Sequence, residues 1–137
     1  LPAAGVAISP WVELEHQGAS MRTRHGVDPL CTREALDVQA RTFLGTALAN
    51  SPEASPVFAD VRGLPPILVQ IGESEVMLSG AIQLATHLGE NRVRATLEIW
   101  PEMFHVFHLF AAVLPEALEA IQSAAVFLDL AWLALEE

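Results

Sequence analysis

The amino-acid sequence predicts an α/β fold with about three parallel strands flanked by helices, and three observations carry that expectation. Ile67-Leu68-Val69-Gln70-Ile71 is a near-continuous apolar run of strand length, the pattern of a parallel strand covered on both faces. Stretches on either side of it repeat apolar residues every three to four positions, as a helix packed on one face requires. Strand-like and helix-like segments alternate along the chain, which argues for a parallel sheet joined by right-handed crossovers.

Gly5-Val6-Ala7-Ile8 is a short apolar run stopped by Ser9-Pro10 and reads as the first strand. The polar stretch Glu13 to Arg33, broken by Gly18, Gly26 and Pro29, is expected to be loop. From Thr32 to Leu48 the apolar set Leu36, Ala40, Phe43, Leu44 and Ala47 predicts a helix with Thr32 as N-cap, broken by Asn50-Ser51-Pro52 through Ser55-Pro56. The second strand, Ile67 to Ile71, ends at Gly72. Leu78, Ile82, Ala85 and Leu88 then repeat at helical spacing until Gly89, a residue suited to a helix end that needs positive φ. Val93 to Trp100 alternates Ala95, Leu97 and Ile99 with Arg94, Thr96 and Glu98, the pattern of a strand near a sheet edge. Pro115-Glu116 opens a last helix that runs to about Leu135, with Leu118, Ile121, Ala125, Leu128, Trp132 and Leu135 as the seam expected to face the sheet.

Residues 1–137 suffice for one domain and one core. Seventeen acids against seven bases, a net charge of −10, exclude a surface suited to nucleic acid or anionic lipid, and no apolar run approaches the ~20 residues that span a bilayer. Cys31 is the only cysteine, so no internal disulfide and no cysteine-rich metal site can form. A reducing, cytoplasmic setting fits that usage. The opening Leu1-Pro2-Ala3-Ala4 has neither Met nor a basic stretch before an apolar one, and reads as the interior of a longer chain.

Ligands of parallel α/β sheets bind at the carboxyl ends of the strands. Gly72-Glu73-Ser74-Glu75-Val76 follows the second strand, and Trp100-Pro101-Glu102-Met103-Phe104-His105-Val106-Phe107-His108 follows the third. On adjacent parallel strands a carboxylate of the first loop can reach an imidazole of the second. That is the acid–histidine half of a hydrolytic triad, in which the acid orients the ring and stabilises the imidazolium formed when histidine takes a proton from a nucleophilic hydroxyl. The same residues also suit a helix-capping Glu75 and a partly buried loop histidine.

Ile8-Ser9-Pro10-Trp11-Val12-Glu13-Leu14, Ala54-Ser55-Pro56, Gly63-Leu64-Pro65-Pro66, Glu75-Val76-Met77-Leu78 and Met103-Phe104-His105-Val106-Phe107 together resemble the C-terminal portion of bacterial hormone-sensitive-lipase-type esterases, which are α/β-hydrolases. The resemblance runs from about Ala4 to Leu130. It implies the C-terminal half of an α/β-hydrolase fold, carboxylester hydrolysis through an acyl-enzyme on short to medium acyl esters, and no metal or organic cofactor. It implies His105 as the catalytic histidine and Glu75 as the acid, with Glu73 as the runner-up. The His-Gly-Gly loop and Gly-x-Ser-x-Gly elbow of such enzymes are both absent. Ser74 does not replace the elbow serine, since carboxylates flank it on both sides. A missing N-terminal half is therefore the implied partner, and the chain alone is expected to be inactive. A non-catalytic remnant or interaction module of the same fold is the alternative.

Similar esterases often dimerise through the last strand and helix, which would place Val93–Trp100 and Val126–Leu133 at a two-fold interface. His108 is read as structural rather than metal-binding, His16, His25 and His87 as solvated, and Cys31 as a packed residue. Trp11 and Trp100 fit core packing or the wall of an acyl pocket.

Overall fold

Three parallel strands, β1 (Gly5–Ile8), β2 (Ile67–Gly72) and β3 (Ala95–Trp100), form one sheet in the order β1-β2-β3. The computed structural model describes residues 2–134. In register, Val6 sits beside Leu68 and Ile8 beside Gln70, while Gln70 sits beside Glu98 and Gly72 beside Trp100. Leu68, Val69, Gln70 and Ile71 are wholly buried, as the central position of β2 requires.

Side chains alternate across a strand, so β2 feeds two different layers. Val69 and Ile71 join the main core with Ala81, Leu84 and Leu88 of helix α3 (Leu78–Glu90), and with Leu36 of helix α2 (Arg33–Leu44). Each large apolar side chain so buried contributes roughly 1.5–3 kcal/mol. On the opposite face Gln70 donates to the Ala120 carbonyl of helix α4 (Pro115–Leu133) at 2.7 Å and to Glu98 Oε2 at 2.8 Å. Glu98 in turn accepts from Ser123 Oγ. The polar residue inside the apolar run is thereby satisfied between sheet and helix.

Four details differ from the sequence reading. The stretch expected as loop contains a short helix, α1 (Ser20–Thr23), held by Ser20, whose hydroxyl donates to the Val76 carbonyl at 2.6 Å. Helix α2 keeps its Thr32 cap but stops at Gly45, where φ is +56°, and Phe43 is 70% exposed rather than packed. Helix α3 runs through Gly89. Asn91 caps the His87 carbonyl through main chain and side chain, and the left-handed step falls on Arg92.

The largest correction concerns α4. Its buried residues are Ala117, Ala120 and Ala124, whereas Leu118, Ile121, Leu128 and Trp132 of the expected seam are 41–62% exposed. Leu135, the seam's last member, lies outside the described residues. The Gln70–Ala120 hydrogen bond brings the helix backbone close to the sheet, and small side chains permit that approach.

Candidate active site

The acid loop and the histidine loop are joined through main chain. The N–H of Glu73 donates to the Trp100 carbonyl at 2.8 Å, and that of Ser74 to the Met103 carbonyl at 3.0 Å. Gly72 makes this contact possible, because a Cβ there would stand 2.2 Å from the Met103 carbonyl oxygen. The histidine loop turns through left-handed Glu102 (φ +62°) and Val106 (φ +46°), and buried Met103 and Phe107 anchor it against Ala117 and Ala120 of α4.

This frame brings Glu75 and His105 together. Glu75 is wholly buried, and its Oε2 accepts the His105 Nδ1–H at 3.0 Å. Its Oε1 accepts from Ser9 Oγ at 2.6 Å and from the Gly72 N–H at 2.7 Å. Glu73, the other acid considered, lies elsewhere, with Oε1 2.5 Å from the Arg24 guanidinium and its carbonyl accepting from Arg24 Nε. The His105 side chain is about a quarter exposed, and its Nε2 has no hydrogen-bond partner among the described residues. With Nδ1 donating, neutral His105 presents the Nε2 lone pair outward, the tautomer a general base needs. The Glu75 hydrogen bond raises the His105 pKa above its ordinary 6.5, against an opposing effect of burial and with added pull from the Glu75 and Asp28 charges.

Two supporting residues escaped sequence reasoning. Ser9, at the end of β1, holds Glu75 as described and accepts the Val106 N–H at 3.0 Å. Asp28, buried, accepts the N–H groups of Leu30 and Cys31 on one oxygen and that of His105 on the other, at 3.1 Å. The contacts from Ser9 and Asp28 to the histidine loop join residues 97 and 77 positions apart, a separation that carries no local pattern.

The remaining candidates fall into place around this pair. Ser74 has only a long 3.5 Å contact to Glu73 and none to His105. His108 is buried and bound through Nε2 to Gln70 Oε1 at 3.0 Å, so it shares no ligand set with His105, and burial lowers its pKa. Burial, then the Asp28 and Glu75 charges, push the Cys31 thiol up to about 11, which keeps it protonated and unreactive. His16 is not solvated. It is 3% exposed, with Nδ1 2.5 Å from Asp37 and Nε2 accepting from Trp11. Trp11 stacks on that ring and borders a cleft of about 340 Å³ with Leu14, Gln39, Phe43 and Ala54, while Trp100 packs on Phe107. His25 is exposed beside Glu34, and His87 Nε2 contacts the Ala59 carbonyl.

The alpha/beta hydrolase fold family matches residues 1–109. The chain belongs to that family. An acetyl-hydrolase of Streptomyces hygroscopicus is 42% identical over 128 residues, which cover 93% of this chain and 43% of the relative. An esterase of Acinetobacter venetianus is 30% identical across the same share of this chain and 42% of its own. A crystal structure of an esterase from the bacterial hormone-sensitive lipase family superposes with a TM-score of 0.91 at 43% identity, covering 93% of this chain and 43% of that one. This α/β-hydrolase chain thus spans less than half the length of the curated relatives it matches. Among its described residues no helix is long and apolar enough to cross a membrane.

Proposed function

We propose that this chain is the acid- and histidine-bearing C-terminal half of a serine carboxylesterase of the hormone-sensitive-lipase type. The observation that carries the reading is the Glu75–His105 pair, with Nδ1 fixed on a buried carboxylate and Nε2 left open. In such an arrangement His105 takes the proton of a nucleophilic serine as it attacks the ester carbonyl. Glu75 stabilises the imidazolium, and the proton then passes to the departing alcohol. The resulting acyl-enzyme is hydrolysed by the same base acting on water. The names of the relatives, an acetyl-hydrolase and an esterase, support an ester substrate, for which we propose short to medium acyl length. Neither the serine elbow nor the oxyanion loop occurs in the 137 residues, so both would come from an N-terminal half.

The chain alone is expected to release no product from a chromogenic short-acyl ester above background, since nucleophile and oxyanion stabilisation each supply several kcal/mol of barrier lowering. Co-expression with the N-terminal half of a matching esterase restores saturable turnover, and His105→Ala abolishes it. Turnover by the isolated chain, or activity of the pair that survives His105→Ala, refutes the assignment. A folded pair with no activity would instead favour the non-catalytic remnant.

We infer as well that β3 and α4 form a two-fold interface. β3 is an edge of the described sheet with Ile99 exposed, and Val126, Leu130 and Leu133 on α4 are each more than half exposed. Sedimentation of the reconstituted enzyme should give a dimer at micromolar concentration that Phe127→Glu with Leu130→Glu dissociates. A monomer unchanged by that pair of substitutions removes the inference and assigns the face to the N-terminal half.

A further inference from the structure

Among the described residues, the hydroxyl of Ser9 bridges the acid and the segment carrying the histidine by hydrogen bonds to both. It donates to Glu75 Oε1 at 2.6 Å and accepts from the Val106 N–H at 3.0 Å. Ser9 is 4% exposed, and its own N–H donates to the Gln70 carbonyl at 2.7 Å, which fixes it to the end of β2. Its φ is +44° and that of Val106 is +46°, so two residues in a conformation that side chains rarely adopt meet across a single oxygen. Such backbone persists where surrounding contacts over-determine it.

We propose that Ser9 is a positioning residue for the Glu75–His105 pair. A carboxylate has two equivalent oxygens and a side chain free to rotate, so one hydrogen bond to histidine does not by itself fix its orientation. Ser9, with the Gly72 N–H, occupies Oε1 and leaves Oε2 for His105. By holding Val106, it also sets the backbone that carries the ring. The Ser9 proton is committed to Glu75, and the hydroxyl has no hydrogen bond to the ring, which separates this role from that of a nucleophile.

The inference rests on Glu75–His105 being the functional pair, and the test separates the two ideas. In proton and nitrogen NMR of the 137-residue chain, the His105 Nδ1–H should give a resonance well downfield of the amides, and the Val106 amide should be protected from exchange. Ser9→Ala should broaden the ring resonance beyond detection and speed Val106 exchange about tenfold, the effect of one lost buried hydrogen bond. Amide shifts of β2 should stay unchanged. Ser9→Gly removes the same oxygen in a residue that accepts positive φ, and should act alike even where Ala strains the turn. A ring resonance and Val106 protection that survive both variants overturn the positioning role. Glu75→Gln is the control for the pair itself. If it too leaves the ring resonance and the His105 titration unchanged, the pairing fails, and the role of Ser9 with it.

Discussion

His105 and His108 stand three residues apart, and their surroundings move their pKa values in opposite directions. Hydrogen bonding to Glu75 raises the first above 6.5, and burial lowers the second below it. Stability contributed by His105 is therefore complete below about pH 6.5 and is lost as pH rises through its raised value. The contribution of His108 is complete above about pH 6.5 and is lost as pH falls toward its lowered value. A titration of the ring resonances should show the His105 midpoint above that of an ordinary histidine and the His108 midpoint below it. Glu75→Gln should lower the His105 midpoint, since the largest raising effect is removed while the burial remains. A midpoint unmoved by that substitution would show that the hydrogen bond is not the cause. The two neighbours thus differ in setting, with one ring part-exposed on Glu75 and the other buried against Gln70.

Helix α4 turns small residues inward and large ones outward, and a direct test follows from that geometry. Ala120→Leu forces a branched side chain into a position with no exposed surface, beside the carbonyl that receives Gln70. It should cost roughly 1–3 kcal/mol in urea unfolding. Leu118→Glu, at a 46% exposed position, should change the chain's stability by less than about 0.5 kcal/mol. The reverse ranking would restore the seam read from the sequence. Apolar periodicity located this helix and could not orient it, because residues on two of its faces are apolar and size alone does not say which face meets the sheet. The strands were legible for the converse reason. An apolar run bounded by Gly72, like the alternation in β3, has one simple structural solution. Position after adjacent strands makes a Glu75–His105 contact possible without selecting it from other loop carboxylates and histidines, whereas Ser9, Asp28 and the buried His16–Asp37 contact depend on partners far along the chain. Resemblance to a family supplied the choice between Glu75 and Glu73, which spacing had left open. In the structure Glu75 meets His105 while Glu73 pairs with Arg24.

Among the described residues, the sheet has β1 and β3 at its edges, and Ser9, Glu75 and His105 gather at the ends of its three strands. These groups come from well-separated segments of the chain, since the Val106–Ser9 hydrogen bond spans 97 residues and the Ser9–Glu75 bond spans 66. The consequence of the first span is kinetic. The Val106–Ser9 bond needs β1 and the histidine loop already seated against β2, so it is expected to form after the folding barrier. Ser9→Ala should then leave the refolding rate within about twofold and speed unfolding roughly tenfold, the signature of an interaction absent from the transition state. Stopped-flow mixing in urea measures both arms, and refolding slowed as much as unfolding is accelerated would place Ser9 in the folding nucleus instead. Late closure would make the Ser9 bridge to the histidine loop the last contact of this site to order and the first to come apart.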